Sequence, residues 1–173
     1  MKDNFHPSLK KVLQHEGGFQ SDPRDPGNAN GGMTNLGVTK AVWEEWVGRE
    51  SNEKEMRSLT PEMVAPLYRR KYWDKIQGDH LPAGLDYAVF DAAINSGPGR
   101  AAKWLQTAVG VTPDGAIGPK TLAAIKAKPI QKLIAQYNDT RLQFLEGLPT
   151  WGTFGKGWGN RVAQVQSTAT QLA

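Results

Sequence analysis

Apolar residues recur at helical spacing through most of this chain, and glycine or proline follows most of the runs. The clearest run spans residues 129–146, where apolar side chains follow an i, i+3, i+4, i+7 pattern. Other runs predict helices that end near Glu16, Gly48, Asn95 and Gly110, and a weaker last helix that carries Val162, Val165 and Leu172. Between Phe19 and Val38, turn-forming residues predict a long loop with at most a short irregular β-hairpin. The expected fold class is therefore mainly α.

The composition bounds the size and the chemistry of the protein. A chain of 173 residues is long enough for one domain with a core, or for a catalytic unit with a small companion. There is no cysteine, which excludes disulfides, thiolate metal sites and thiol nucleophiles. His6, His15 and His80 have no partners at metal-ligand spacing, and no nucleotide-binding or serine-nucleophile motif occurs. We expect no metal and no cofactor.

The charge pattern favours an anionic partner without indicating nucleic acid. The formal net charge is +4, and the dense basic runs are limited to Lys10-Lys11 and Arg69-Arg70-Lys71. A bacterial envelope rich in carboxylate and phosphate fits such a surface. The amino-terminal sequence is charged and amphipathic, and no stretch of 18 apolar residues occurs, so we expect synthesis in the cytoplasm without a Sec signal and no stable membrane insertion.

Glu16 is out of place for a charged residue. It falls in the middle of the apolar stripe formed by Phe5, Leu9, Val12 and Leu13. A carboxyl group that loses hydration there should hold its proton near neutral pH, as a general acid for glycosidic cleavage must. The alternative is a helix-terminal Glu that turns to solvent or pairs with a buried Arg.

The loop after Glu16 contains groups able to orient a water molecule. Asp22, Asp25 and Thr34 have oxygen atoms suited to that role opposite a catalytic acid. Both aspartates stand beside proline, where aspartate commonly forms turns, and for each one alone the turn interpretation is favoured.

Several blocks of sequence resemble one family over nearly the whole chain. These blocks are Glu16-Gly17-Gly18-Phe19, Asp25-Pro26-Gly27, Thr34–Thr39, Tyr72-Trp73, Phe90–Pro98, Leu105-Gln106 and Asp114–Thr121, with an ending at Phe154–Arg161. They are similar to the glycoside hydrolase family 108 N-acetylmuramidases of the phage endolysin type. The later blocks resemble the predicted peptidoglycan-binding segment that usually follows in such enzymes.

The resemblance implies a lysozyme-like fold and a set of catalytic roles. The implied activity is hydrolysis of the β-1,4 bond between N-acetylmuramic acid and N-acetylglucosamine, with Glu16 as the acid. Asp25 would help place the water, and Thr34 would assist. Two departures stand out: Phe19 replaces the usual Tyr, and the segment between Asp25 and Thr34 is longer than the common form, which affects the assignment of Thr34 most.

Further residues are candidates for substrate contact. Asn95 could bond to a saccharide acetamide or simply cap its helix, and Tyr72 and Trp73 could stack on sugars, although core positions are favoured for both. Phe19 is a fourth candidate, through the same motif as Glu16. For Asp91 a structural role is favoured over catalysis. The aromatic stretch from Trp151 to Trp158 could touch glycan or membrane, or fold back over the core.

These observations predict an endolysin that lyses cells by cleaving peptidoglycan. Residues 1–98 are expected to form the catalytic region and 99–173 a helical peptidoglycan-binding region, packed with the first into one compact unit. We expect a monomer that reaches the periplasm after holin-dependent release. Two alternatives remain: a lytic transglycosylase, against which Asp25 argues, and a non-catalytic peptidoglycan-binding module.

Overall fold

The computed structural model describes residues 3–24, 28 and 32–173. Packing divides the chain into two compact units, of which one is His6–Arg69 and the other is Met1–Phe5 with Arg70–Ala173. The division expected at residue 98 separates functional regions and stays a prediction. Within the described residues no helix is both long and apolar enough to cross a bilayer.

Helices and one small hairpin make up the unit His6–Arg69. In chain order they are α1 (Phe5–Glu16), β1 (Thr34–Asn35), β2 (Val38–Thr39), α2 (Lys40–Val47), α3 (Glu53–Arg57) and α4 (Pro61–Tyr68). The end of α1 at Glu16 confirms the prediction, and Gly17 follows with a φ of 75°, in the left-handed region that glycine tolerates.

Side-chain caps set where the helices of this unit begin. The hydroxyl of Thr39 accepts a hydrogen bond from the Val42 amide, and that of Thr60 accepts one from the Met63 amide. Helix α3 was not predicted, because a run of five residues is too short to show a helical period. It begins at an equivalent cap, in which Asn52 accepts from the Glu55 amide at 2.9 Å.

The short hairpin that the sequence allowed for is present and has a two-residue turn. Thr34 pairs with Thr39 and Asn35 with Val38 in antiparallel register, leaving Leu36 and Gly37 as a two-residue turn. Both turn residues have positive φ, 52° and 74°, which is the geometry of a type I′ turn. The side-chain amide of Asn35, which is buried, donates to the Met56 carbonyl at 2.8 Å and anchors the hairpin beside α3.

The larger unit is built around one buried helix. A π-helical turn (Arg69–Trp73) and a 3₁₀ turn (Gly78–His80) precede α5 (Leu85–Ser96), α6 (Pro98–Val109), α7 (Pro119–Lys126), α8 (Ile130–Glu146) and α9 (Trp151–Leu172). Every residue of α5 from Leu85 to Ala93 is buried, and α6, α8 and α9 pack against it. Small side chains such as Ala88, Ala92 and Ala93 allow this close approach.

Helix α9 is longer than its sequence predicts. It begins at Trp151, whereas the sequence indicates a last helix only around Val162, Val165 and Leu172. Four glycines in its first three turns argue against a helix, since glycine is about 1 kcal/mol less favourable than alanine in a helix interior. Tertiary packing of the following apolar stripe, at Val162, Val165 and Ala169, outweighs that local preference.

A buried ion cluster ties three helices of the larger unit together. The Asp91 carboxylate on α5 accepts from Arg141 Nη1 of α8 at 2.7 Å and from Arg161 Nη2 of α9 at 2.9 Å. Burial alone would raise the pKa of Asp91, but the two guanidinium groups hold it below its usual range. Asp91 therefore has the structural role that the sequence favours.

Replacing Asp91 with Asn should lower the free energy of unfolding by about 3–5 kcal/mol at neutral pH, because two guanidinium groups lose their counter-ion and Arg141 is fully buried. Urea denaturation followed by circular dichroism measures this loss. Asp139→Asn on the exposed face of α8 is the matched control and should change the value little.

The pH dependence of that contribution has a definite sign. A carboxylate with a lowered folded pKa contributes stability above the ordinary Asp pKa, and this contribution disappears as the pH falls through the folded value. The difference between wild type and Asp91→Asn should therefore shrink in strong acid. A gap that is small at neutral pH, or that widens in acid, contradicts the account.

Candidate active site

Glu16 lies at the last position of α1, where the helix stops and the backbone turns. Leu9 and Val12 on the same stripe are buried, whereas Glu16 itself is half-buried. Glu16 therefore lies on the packed side of α1, together with these apolar residues. Because the helix ends at Glu16, its carboxylate is at the border of the core.

The tip of the β1–β2 hairpin lies directly against this carboxylate. A Cβ atom added to Gly37 would stand 2.9 Å from Glu16 Oε2 and 2.5 Å from the Tyr68 hydroxyl oxygen. That hydroxyl donates to the Leu36 carbonyl at 2.7 Å. The acid, the hairpin tip and the Tyr68 phenol thus meet at one point, and only glycine fits at position 37.

A second cluster holds the first strand of the hairpin. The Thr34 hydroxyl donates to Asn28 Oδ1 at 2.7 Å, and the backbone of Thr34 exchanges two hydrogen bonds of 2.8 Å with Gln20. The amide of Asn28, which is fully buried, donates to Gln20 Oε1 at 2.9 Å and to the Asp22 carbonyl at 3.0 Å. Because Thr34 uses its proton on Asn28, its oxygen is left to act as an acceptor.

Of the two loop aspartates, the structure describes only Asp22. The Asp22 carboxylate accepts hydrogen bonds from the backbone amide and the side chain of Arg24, which lower its pKa, so it has the turn-forming role that the sequence favours. Asp25 lies outside the described residues, and its role stays a prediction.

Phe19 has one ring face already occupied. The guanidinium carbon of Arg57 stands 4.0 Å from the centre of the ring, in a cation–π contact. The ring is half-buried, so any sugar contact at Phe19 is restricted to its opposite face or its edge. Its role in substrate binding stays a prediction.

Three predicted substrate contacts belong to the larger unit. Asn95 is exposed and its Oδ1 accepts from Arg141 Nη2 at 3.3 Å, while Tyr72 is half-buried. Trp73 is 1% exposed, packs edge-on against Phe5 and Phe90, and donates to Asp79. This burial contradicts a stacking role for Trp73, because no ring face is open to a sugar; the core interpretation is the one that describes it.

Within residues 3–24, 28 and 32–173, no group of three or more His, Asp or Glu side chains is arranged to hold a metal ion.

Comparison with protein-family models gives two matches that together cover most of the chain. Residues 9–97 match the model described as Glycosyl hydrolase 108, and residues 100–163 match one described as Predicted Peptidoglycan domain. The chain belongs to the glycosyl hydrolase 108 family. It is therefore a glycoside hydrolase that acts on peptidoglycan, as its sequence motifs predicted.

A solved structure is similar to this member of the family along almost its whole length. The structure described as that of Brucella abortus SagA is 45% identical, with a TM-score of 0.84, and the match covers 97% of this chain and 94% of that one. A comparison with curated protein sequences finds no match. The mainly helical fold with one small hairpin is lysozyme-like, which confirms the expected fold class.

The sequence did not single out three residues that shape the site of this glycosyl hydrolase. Gly37 and Asn28 look like ordinary loop residues, and Tyr68 falls on the apolar stripe of α4. One signal was available for Gly37: a glycine in a short turn between two extended segments often adopts positive φ. Tyr68 bonds to a carbonyl 32 positions away in the chain. Asn28 bonds to groups six to eight positions away, which is also beyond what a local pattern reveals.

Substituting alanine for Gly37 should abolish most of the activity without unfolding the protein. The methyl group would displace the Glu16 carboxylate and the Tyr68 hydroxyl, and a misplaced catalytic group costs on the order of 100-fold in rate. Release of dye-labelled fragments from purified peptidoglycan measures the loss.

Gly48→Ala is the matched control for this substitution. Gly48 has nearly the same φ, 75° against 74°, but nothing lies within 4 Å of its added Cβ. Both variants carry left-handed strain of about 1–2 kcal/mol, and only Gly37→Ala should lose activity. Equal activities in the two variants would contradict the placement of the hairpin tip against Glu16.

Proposed function

We propose that this glycosyl hydrolase is an N-acetylmuramidase, which hydrolyses the β-1,4 bond between N-acetylmuramic acid and N-acetylglucosamine, with Glu16 as the general acid. The observation that carries the proposal is the position of the Glu16 carboxylate, at the end of α1 and against the hairpin tip. Cleavage requires a proton on the departing glycosidic oxygen, and a carboxyl group fixed at the edge of the core can deliver it.

The hairpin tip restrains the Glu16 carboxyl group on one side. The Leu36–Gly37 turn limits the space beside Glu16 Oε2, and the Tyr68 hydroxyl fixes that turn through the Leu36 carbonyl. A proton donor held in one orientation meets the glycosidic oxygen without a further loss of side-chain freedom.

Water activation is assigned to Thr34 and Asp25. Since the Thr34 hydroxyl donates to Asn28, it can accept a hydrogen from a water molecule and so turn a water lone pair toward the sugar. The carboxylate of Asp25, whose role comes from the family resemblance, is proposed as the second group that orients this water.

The biological setting is part of the same proposal. We infer that the enzyme acts as a monomeric endolysin of the phage type and reaches peptidoglycan after holin-dependent release from the cytoplasm. This setting is supported by the resemblance of its motifs to phage endolysins.

Glu16→Gln should lower the rate of peptidoglycan solubilisation by about 10²–10⁴-fold, since the amide keeps the shape of the side chain but cannot supply the proton. Glu146→Gln, at the exposed end of α8, is the matched control and should retain full activity. Glu16→Gln that solubilises peptidoglycan as fast as wild type would refute the assignment of the acid.

The same digests identify the bond that is cut. Reduction of the released fragments with borohydride converts the new reducing sugar into its alditol, which mass spectrometry identifies. The proposal predicts muramitol; glucosaminitol would show that the other glycosidic bond of the strand is cleaved.

A further inference from the structure

The apolar stripe of α9 extends beyond the core that it helps to form. Its carboxyl-terminal half is buried at Val162, Val165 and Ala169. The same stripe continues toward the start of the helix at Trp151 and Trp158, with Phe154 beside them, at spacings of three and four residues. There the protein leaves it open: Phe154 is 53% exposed, and both tryptophans are half-buried.

The three rings form one continuous surface, which we name the aromatic shelf (Trp151, Phe154 and Trp158). The ring centres of Phe154 and Trp158 are 5.5 Å apart with planes inclined by 31°, and those of Trp151 and Trp158 are 6.3 Å apart at 44°. The planes of Phe154 and Trp158 are closer to parallel than to perpendicular, and those of Trp151 and Trp158 are inclined about midway between the two. Neither pair meets edge to face, and the three rings form one aromatic cluster on this part of α9.

Glycines allow the Trp151 indole of the shelf to lie close to its own helix. A Cβ on Gly155 would stand 2.5 Å from Trp151 Cε2, so alanine there would push the indole away from the helix. A Cβ on Gly159 would lie 3.7 Å from the far edge of the same indole. Gly155 and Gly159 lower the helix propensity of this part of α9, but they leave room for the Trp151 indole to lie against the helix.

We propose that the aromatic shelf is a glycan-binding surface, on which sugar rings of the peptidoglycan strand stack. The proposal deepens the proposed function, since it takes peptidoglycan as the ligand, but it does not depend on the chemistry at Glu16. The apolar C–H face of a sugar ring packs on an aromatic face, and polar side chains at the rim bind its hydroxyl and acetamide groups. Thr153 and Asn160 are exposed on this part of α9 and supply such groups.

Two observations favour a glycan over a lipid surface. The match to the Predicted Peptidoglycan domain includes all three shelf residues. Helices that lie on membranes combine aromatic residues with many lysines and arginines, whereas α9 contains only Lys156 and Arg161 as cations. Arg161 is bound to the Asp91 carboxylate, which leaves Lys156 as the cation of α9 outside that cluster.

Co-sedimentation with purified peptidoglycan sacculi tests the shelf. All proteins carry Glu16→Gln, so that binding is measured without cleavage. Phe154→Ala and Trp158→Ala should each weaken binding about tenfold, which corresponds to about 1.4 kcal/mol. Leu172→Ala is the matched control, because Leu172 is 42% exposed on the same helix but outside the shelf.

Further variants separate ring contact from folding. Phe154→Tyr keeps the ring and should bind as the Glu16→Gln parent does, and thermal melting should show Phe154→Ala folded, since its side chain is mostly exposed. Shelf variants that bind sacculi as tightly as the parent, or a parent that does not bind sacculi, would overturn the proposal.

A parallel assay uses vesicles of phosphatidylethanolamine and phosphatidylglycerol. We expect no binding that depends on the shelf; shelf-dependent binding to vesicles with unchanged binding to sacculi would assign the surface to membranes and overturn the glycan proposal. If instead the enzyme with intact Glu16 cleaves nothing while the shelf variants still lose sacculus binding, the muramidase proposal fails and the shelf proposal stands.

Discussion

The hydrogen bond from the Tyr68 hydroxyl to the Leu36 carbonyl holds the candidate active site together. Leu36 has a φ of 52°, a conformation that costs a residue other than glycine about 1 kcal/mol or more. That conformation turns the hairpin tip, and the bond from a phenol that is 2% exposed keeps it there. Because Gly37 then lies against Glu16, the position of the Glu16 carboxylate depends on the turn and on Tyr68.

Both compact units use buried neutral amides to hold irregular backbone. In His6–Arg69, the amides of Asn28 and Asn35 bond to loop and hairpin atoms. In the larger unit, the buried Gln106 amide bonds in the same way to the Asp114 carboxylate and the Ala116 carbonyl in the loop after α6. Neutral amides can do so without the desolvation cost of a charge. The larger unit adds a buried ion cluster, in which Asp91 and two arginines connect three helices.

Much of the fold could be predicted because it is encoded locally. The apolar period of α1, its glycine stop and the hydroxyl caps at Thr39 and Thr60 each act within one helical turn, so sequence patterns reveal them. Helix α9 could not be predicted to its full length, since four glycines disfavour a helix there. The tertiary packing that outweighs them is not visible in the sequence. For Trp73, the pattern favoured a core position over sugar stacking, and its indole is buried.

The site itself was predictable only in part, for the same physical reason. Glu16 was singled out as a candidate because an acid on an apolar stripe conflicts with its surroundings in the sequence itself. Tyr68 was not found, since its hydroxyl meets a carbonyl 32 positions away in the chain, and nothing near Tyr68 signals that contact. Asn28 was not found either, because an asparagine in a stretch rich in glycine and asparagine gives no sign in the sequence that its side chain is buried.

The central claim is that cleavage is hydrolytic, with water and not a hydroxyl group of the sugar replacing the departing glycosidic oxygen. Digestion of purified peptidoglycan in water enriched in heavy oxygen, followed by mass spectrometry of the fragments, tests this claim most directly. The account predicts one heavy oxygen atom at each new reducing end of muramic acid. Fragments that end in 1,6-anhydromuramic acid and carry no heavy oxygen would contradict it, because the sugar's own hydroxyl would then have replaced water.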